Sequence, residues 1–201
     1  DEALQRHDLV DDTLIIITSD NGARLTDFYG NDWGHKPNGD LRGQKADIWD
    51  GGHREPYIVR WPEMIQSGCV SYQLVYLGDL MATCADIVQV TLDDSTAEDS
   101  FSLLPILEGV EEPVRDTLIH HSIDGMFAIR QGAWKLITDL GSGGFTQPAR
   151  IPVGPGGPTG QLYNIDEDIA EKNNLWLEYP EIVKELTDAL KKVIEAGKSR
   201  V

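Results

Sequence analysis

The sequence is poor in cysteine and contains no long apolar segment. It has 2 cysteines, Cys69 and Cys84, in 201 residues, a length that can bury a core without disulfides. No apolar run reaches the roughly 18 residues that suggest a membrane-spanning helix. No Asn-x-Ser/Thr glycosylation motif occurs either. These absences argue against a disulfide scaffold and a membrane span, and they leave the compartment open.

Basic residues are also scarce. Lys and Arg number 17 against 34 Asp and Glu, which gives a formal net charge of −17. This charge disfavours nucleic acid or an anionic membrane as the main partner. Five basic side chains nevertheless fall within residues 36–60: Lys36, Arg42, Lys45, Arg54 and Arg60. They indicate either a local site for an anionic ligand or a set of solvated surface groups.

The first part of the chain indicates a strand that leads into a polar loop. Residues 1–10 resemble the end of a helix, without an initiator Met or signal peptide, so we expect a piece of a longer protein. Residues 13–18 are apolar and β-branched, which predicts a strand buried on both faces of a parallel sheet. Asp20 and Asn21 follow, and Gly22 permits a sharp turn. Open α/β sheets bind ligands at this edge, so we expect a site here.

Further along, the hydrophobic periodicity predicts two helices and a small sheet. A helix over residues 78–90 would bury an apolar stripe that includes Met81 and Cys84. An amphipathic helix over residues 180–196 begins near Pro180 and ends at Gly197. Short strands are expected at residues 117–121, 126–130, 134–138 and 161–164, the first three forming an antiparallel meander. The second half therefore predicts a small sheet with a helix packed on one face.

The adjacent Asp20 and Asn21 are candidate metal ligands. A carboxylate and an amide carbonyl are hard oxygen donors, which suit Ca²⁺ or Mg²⁺ better than zinc. Because calcium takes six to eight oxygens, additional ligands would have to come from elsewhere in the fold. Asp-Asn-Gly alone is also common as a simple turn.

Read together and in order, several motifs resemble the second half of the type I sulfatase family, to which the arylsulfatases belong. Ser-Asp-Asn-Gly at residues 19–22 begins the series. It continues with Leu-Arg-Gly-Gln-Lys at 41–45, Trp-Asp-Gly-Gly-His-Arg-Glu-Pro at 49–56, Trp-Pro at 61–62, Asp-Leu-Met-Ala-Thr at 79–83, Ile-Arg-Gln-Gly-Ala-Trp-Lys at 129–135 and a Leu-Tyr-Asn segment at 162–175. Each motif is weak alone, and the combination is specific.

The resemblance implies an alkaline-phosphatase-like α/β fold, of which this chain would carry the last strands of the large sheet, a small antiparallel sheet and a C-terminal helix. Residues 1–110 would be the C-terminal portion of the catalytic domain, and residues 111–201 a small α+β subdomain. Asp20 and Asn21 match calcium ligands of the family, and Lys45 matches a lysine that contacts the sulfate group. His35 and His53 are further candidates on their chemistry alone, because an imidazole with a pKa near neutrality can act as a hydrogen-bond donor or general acid near the leaving group.

The family works through a formylglycine nucleophile made from a cysteine in a Cys-x-Pro/Ala-x-Arg motif. Neither Cys69 nor Cys84 lies in such a motif. The resemblance therefore implies that the nucleophile and the remaining calcium ligands belong to the N-terminal part of the same protein. We expect this chain to be inactive when isolated.

Two alternatives to a sulfatase remain open on the sequence alone. A phosphonate monoester hydrolase or phosphodiesterase of the same superfamily is the nearer one, although such relatives usually carry Asp-His-Gly where this chain has Asp-Asn-Gly at residues 20–22. The other is a non-catalytic, carbohydrate-binding relative. For a sulfatase, the resemblance implies a sulfated small molecule or sulfated glycan as substrate. It also implies a periplasmic, secreted or lysosomal location.

Overall fold

A computed structural model describes residues 2–25 and 34–200. The described elements, in chain order, are α1 (Glu2–Arg6), β1 (Ile15–Thr18), α2 (Asp50–His53), β2 (Tyr57–Arg60), α3 (Asp79–Ile87), α4 (Leu104–Leu107), β3 (Thr117–His121), β4 (Phe127–Gln131), β5 (Trp134–Ile137), β6 (Gln161–Asn164) and α5 (Pro180–Ala196). No helix in these two ranges is long and apolar enough to cross a membrane.

The chain forms two compact units, and neither is continuous in sequence. The first contains residues 1–19, 56–116 and 198–201, and the second contains residues 20–55 and 117–197. The assignment of residues 1–110 to a catalytic domain and 111–201 to a subdomain stays a prediction.

In the first unit, β1 and β2 form a two-stranded antiparallel ribbon. Ile15 pairs with Arg60, and Thr18 pairs with Tyr57. Ile17 is 58% exposed, so the expectation of a parallel strand buried on both faces is wrong for this chain. A run of β-branched residues favours a strand of either direction, and here its partner in the described structure is the antiparallel β2.

Helix α3 also buries a different face from the one predicted. Met81 is 53% exposed and Cys84 is exposed, so their assignment to the core is wrong. The buried residues of the helix are Asp79, Ala82, Thr83 and Ala85. Polar contacts determine this face, because Asp79 forms an ion pair with Arg115 and Thr83 Oγ1 accepts a hydrogen bond from the backbone N–H of Leu103 at 2.9 Å.

The second unit is built on the four-stranded antiparallel sheet β3-β4-β5-β6, of which the turn spacing predicted the first three strands as a meander. One face packs against α5, where Leu186 and Leu190 contact a cluster containing Ile129, Leu136 and Leu162. Helix α5 ends at Gly197, whose φ of 70° is the left-handed conformation that favours glycine. The predicted small sheet with a packed C-terminal helix is therefore confirmed.

The opposite face of the same sheet carries the segment just before α2. Ile48 and Trp49 are buried in a cluster with Met126, Ala128, Ile137, Tyr163 and Ile165. Alternating residues of β4 thus serve two cores, since Ala128 faces this segment and Ile129 faces α5. The sheet in this way fixes the polar loop at residues 42–53.

Candidate functional site

Glycines bring three backbone segments of the second unit into direct contact. A Cβ atom on Gly22 would lie 1.9 Å from the carbonyl oxygen of Gly51, and one on Gly51 would lie 2.4 Å from that of Arg42. The backbone N–H of Gly22 donates to Gly52 O at 3.0 Å, and that of Gly51 donates to Arg42 O at 2.7 Å. The turn containing Asp20 and Asn21 therefore lies against the loop containing Lys45.

Hydrogen bonds bring the Lys45 backbone next to the residues that follow Asn21. The N–H of Lys45 donates to Ala23 O at 3.1 Å. The side chain of Asn38 joins the same two segments, because its Oδ1 accepts from Ala23 N at 3.0 Å and its Nδ2 donates to Gly43 O at 3.0 Å. The Lys45 side chain itself is exposed, as a group that contacts an anion must be.

A buried charged cluster holds this loop on the sheet. Lys135 on β5 is fully buried, with Nζ 2.6 Å from Asp50 Oδ1 and 2.9 Å from Glu171 Oε1. The backbone N–H of Asp50 donates to Glu171 Oε2 at 2.6 Å. Burial alone would raise the pKa of Asp50, but the charge and hydrogen bond of Lys135, with smaller effects of His120 and Arg130, lower it to about 2. Asp50, the first residue of α2, therefore stays ionised, and its ion pair with Lys135 attaches α2 to the small sheet.

Arg42 adds a second attachment between the loop and the sheet. Its guanidinium lies over the ring of Trp49, 3.6 Å from the centroid. Nη1 donates to Glu171 O at 2.5 Å and to Tyr163 Oη at 3.2 Å. Arg42, the first basic residue of the Leu-Arg-Gly-Gln-Lys motif, therefore positions the loop. It is committed to contacts within the protein.

His53 and His120 lie together in the interior. Their ring centroids are 4.2 Å apart, and a ring nitrogen of His120, Nε2, lies 3.2 Å from Ile48 O. Burial and the nearby charge of Lys135 lower the pKa of His53 to about 4, and the same two causes hold the pKa of His120 well below its usual value. Both imidazoles are therefore neutral near pH 7.

The surroundings of Asp20 fit a cation with oxygen ligands. Burial, together with the charge of Asp20, raises the pKa of Glu55 to about 7. Glu55 Oε1 is buried and has no hydrogen-bond partner among the described residues. The carboxylate of Asp20 and the amide oxygen of Asn21 are donors of the kind that calcium prefers. Nowhere in residues 2–25 and 34–200 do three or more His, Cys, Asp or Glu side chains form a metal-binding group.

The sequence-predicted site residues are thus placed differently from one another. Asp20 and Asn21 are on a turn that touches the Lys45 loop through backbone contacts. His35 is exposed, whereas His53 points into the interior beside His120. Sequence reasoning missed Asn38 and the positioning roles of Lys135 and Glu171. A charged residue inside the apolar strand at 134–137 was the available signal for Lys135.

Several known proteins with sequences similar to this chain are sulfatases. Residues 2–90 match the Sulfatase family model. The chain is 32% identical over 190 residues to an N-acetylgalactosamine-6-O-sulfatase of Bacteroides thetaiotaomicron, covering 92% of this chain and 37% of that protein. It is 31% identical over 150 residues to human steryl-sulfatase, covering 74% of this chain and 26% of the relative. The chain therefore spans between about a quarter and two fifths of the length of these two relatives.

Solved structures give the same result for the fold. A Bacteroides thetaiotaomicron protein from work on the metabolism of multiple glycosaminoglycans aligns with a TM-score of 0.77 at 29% identity, covering 96% of this chain and 41% of that one. A Pseudoalteromonas sulfatase aligns with a TM-score of 0.79 at 24% identity, covering 96% of this chain and 39% of the other. These neighbours confirm the predicted alkaline-phosphatase-like α/β fold.

Proposed function

Because the chain belongs to the sulfatase family, we propose that the full-length protein is a sulfuric ester hydrolase that cleaves a sulfate monoester. The observation that carries this proposal is the backbone contact between the Asp20-Asn21 turn and the Lys45 loop, through Gly22 and Gly51. This contact supports a shared site, because it joins the backbone of the turn to the loop whose Lys45 side chain is exposed. The two together suit an anion with several oxygens, such as a sulfate ester.

Asp20 and Asn21 would hold calcium together with ligands from the rest of the protein. When bound, the cation would neutralise negative charge on the sulfuryl oxygens. Lys45 would donate a charge-assisted hydrogen bond to the same group as the S–O bond breaks. The nucleophile, a formylglycine, would also lie outside this chain, since neither cysteine is in the required motif. The isolated chain would then have no sulfatase activity.

The roles proposed for His35 and His53 differ in their support. His35 is exposed and remains a candidate hydrogen-bond donor to the leaving group. The ring of His53 packs against that of His120 inside the protein, tilted by 47°, which favours a packing role. For the substrate we propose a sulfated small molecule or glycan. Export to the periplasm, the cell exterior or a lysosome is proposed on family resemblance alone.

The test is a parallel assay of the full-length protein on an aryl sulfate and a phosphonate monoester. We expect sulfate ester hydrolysis that is abolished by a calcium chelator and falls by about 100-fold or more in Lys45→Ala, a loss typical of removing one donor to developing charge. Lys191→Ala, which removes an exposed lysine on α5, is the matched control. Faster phosphonate than sulfate hydrolysis would instead favour the phosphonate monoester hydrolase.

A further inference from the structure

The loop at residues 141–150 is fixed directly on the segment that contains Lys45. The backbone N–H of Thr146 donates to Asp47 Oδ1 at 3.0 Å, and Thr146 Oγ1 donates to Asp47 Oδ2 at 2.5 Å. Gln44 Nε2 donates to Thr146 Oγ1 at 3.2 Å. Thr146 thus contacts residues on both sides of Lys45.

Glycines allow this approach. A Cβ atom on Gly144 would lie 2.4 Å from the carbonyl oxygen of Ala46 and 2.7 Å from Asp47 Oδ1. Gly143 has a φ of 59°, in the region that side chains other than glycine rarely adopt. Ser142 completes the turn, with Oγ donating to Thr146 O at 2.5 Å. The position of Phe145, which follows Gly144, is therefore set by the loop backbone.

Phe145 presents an aromatic ring beside the candidate site. It is 38% exposed, and the guanidinium carbon of Arg24 lies 4.0 Å from its ring centroid. Arg24 follows Asn21 by three residues, and Thr146 beside Phe145 bonds to residues on both sides of Lys45, so the ring is linked to the Asp20-Asn21 turn and to the Lys45 loop. A single exposed aromatic is ordinary on a protein surface. This one differs because hydrogen bonds, two glycines and a cation–π contact hold it in place.

We propose that Phe145, held by Arg24, is the surface on which the sugar ring of a sulfated glycan lies while its sulfate group contacts Lys45. This inference rests on the proposed function and names its substrate class. A pyranose ring has an apolar face of C–H groups that packs on an aromatic ring, and a bound substrate buries apolar area that the free protein exposes. The contact strengthens binding of the sugar. Cleavage of the S–O bond depends on the site that includes Lys45.

The test compares Phe145→Ala and Phe145→Trp with Tyr72→Ala in the full-length protein. Tyr72 is 93% exposed in the other unit and serves as the control for loss of a surface aromatic. The substrates are N-acetylgalactosamine 6-sulfate and methyl sulfate, and inorganic sulfate is the inhibitor. We expect Phe145→Ala to raise KM for the sugar sulfate about 10-fold with little change in kcat, as loss of one aromatic contact predicts.

The other readouts should stay near wild type: kcat/KM for methyl sulfate, the inhibition constant of inorganic sulfate, and the sugar sulfate KM of Phe145→Trp and Tyr72→Ala. An unchanged KM in Phe145→Ala overturns the proposal. So does an equal loss with methyl sulfate and inorganic sulfate, because this would mean a displaced Lys45 loop or misfolding. If the wild-type protein hydrolyses methyl sulfate but not the sugar sulfate, only this inference is overturned. If it hydrolyses neither ester, the proposed function is overturned as well.

Discussion

Lys135 and Asp50 form an enclosed ion pair across 85 residues of sequence, with Nζ 2.6 Å from Oδ1. Glu171 approaches the same ammonium at 2.9 Å, so one buried cation faces two buried carboxylates. Such a cluster persists only when every member has partners, because removal from water costs several kcal/mol for each charge. The structure meets this condition through Lys135 and through the backbone N–H of Asp50, which Glu171 accepts.

Replacing Lys135 by Met should therefore destabilise the chain by roughly 3–5 kcal/mol, because it removes the buried ammonium that contacts both carboxylates. The measurement is urea unfolding at pH 7. Lys184→Met is the control, since its ion pair with Asp188 lies on the surface of α5 and should contribute little. A Lys135→Met chain as stable as the control would show that the cluster does not hold the loop.

The small sheet and α5 could be predicted because their signals are local. Turn residues separate the strands of the meander, and the apolar periodicity of residues 180–196 matches a helix that packs on one side. The buried face of α3 could not be found in this way. Its partner Arg115 lies 36 residues from Asp79, and an apolar stripe in the sequence does not reveal that a polar face is buried instead.

The candidate site could likewise be predicted only in part, because contacts between separate segments of the chain leave no local signal. Asp20, Asn21 and Lys45 stood out through motifs that resemble a family. The contacts that bring them together depend on glycine backbones and on Asn38, whose role appears only when the segments fold together. The direction of β1 could not be assigned, since β-branched residues suit parallel and antiparallel strands alike.

Asn38→Ala should weaken the connection between the two halves of the site. It removes the acceptor for Ala23 N and the donor to Gly43 O, so we expect a loss of about 1–3 kcal/mol in unfolding free energy. In the full-length protein, inhibition by inorganic sulfate should weaken as well, because the Lys45 loop is less well positioned. Asn173→Ala, at an exposed position, is the control. Unaltered inhibition in Asn38→Ala would separate this residue from the site.

Stability should fall as the pH is lowered from about 6.5 towards 4. The pKa of His53 in the folded chain is about 4, below the usual 6.5, so between these values the unfolded chain binds a proton that the folded chain does not. This contribution of His53 to the unfolding free energy is fully present above pH 6.5. It is lost as the pH falls, by roughly 3 kcal/mol for His53 alone. His120 shifts in the same direction. Asp50 begins to lose its own contribution only below its ordinary value of 3.8.

The measurement is the urea midpoint as a function of pH. His53→Phe should flatten the slope between pH 6.5 and 4, whereas His7→Gln, at an exposed position, should retain it. A wild-type midpoint that is constant over this range would contradict the buried, neutral state of the two imidazoles.

Gly22→Ala should separate the Asp20-Asn21 turn from α2. The added Cβ would lie 1.9 Å from Gly51 O, a backbone atom that cannot move aside as a flexible side chain does. We expect a loss of more than about 2 kcal/mol in unfolding free energy, as for other severe backbone clashes. Gly154→Ala is the matched control, because a Cβ there meets no atom within 4 Å and should change stability by less than about 0.5 kcal/mol.

Calcium-dependent protection against unfolding of the full-length protein should be lost in Gly22→Ala and kept in Gly154→Ala. If Gly22→Ala kept that protection at wild-type strength, the turn would not be the part of the chain that binds the cation.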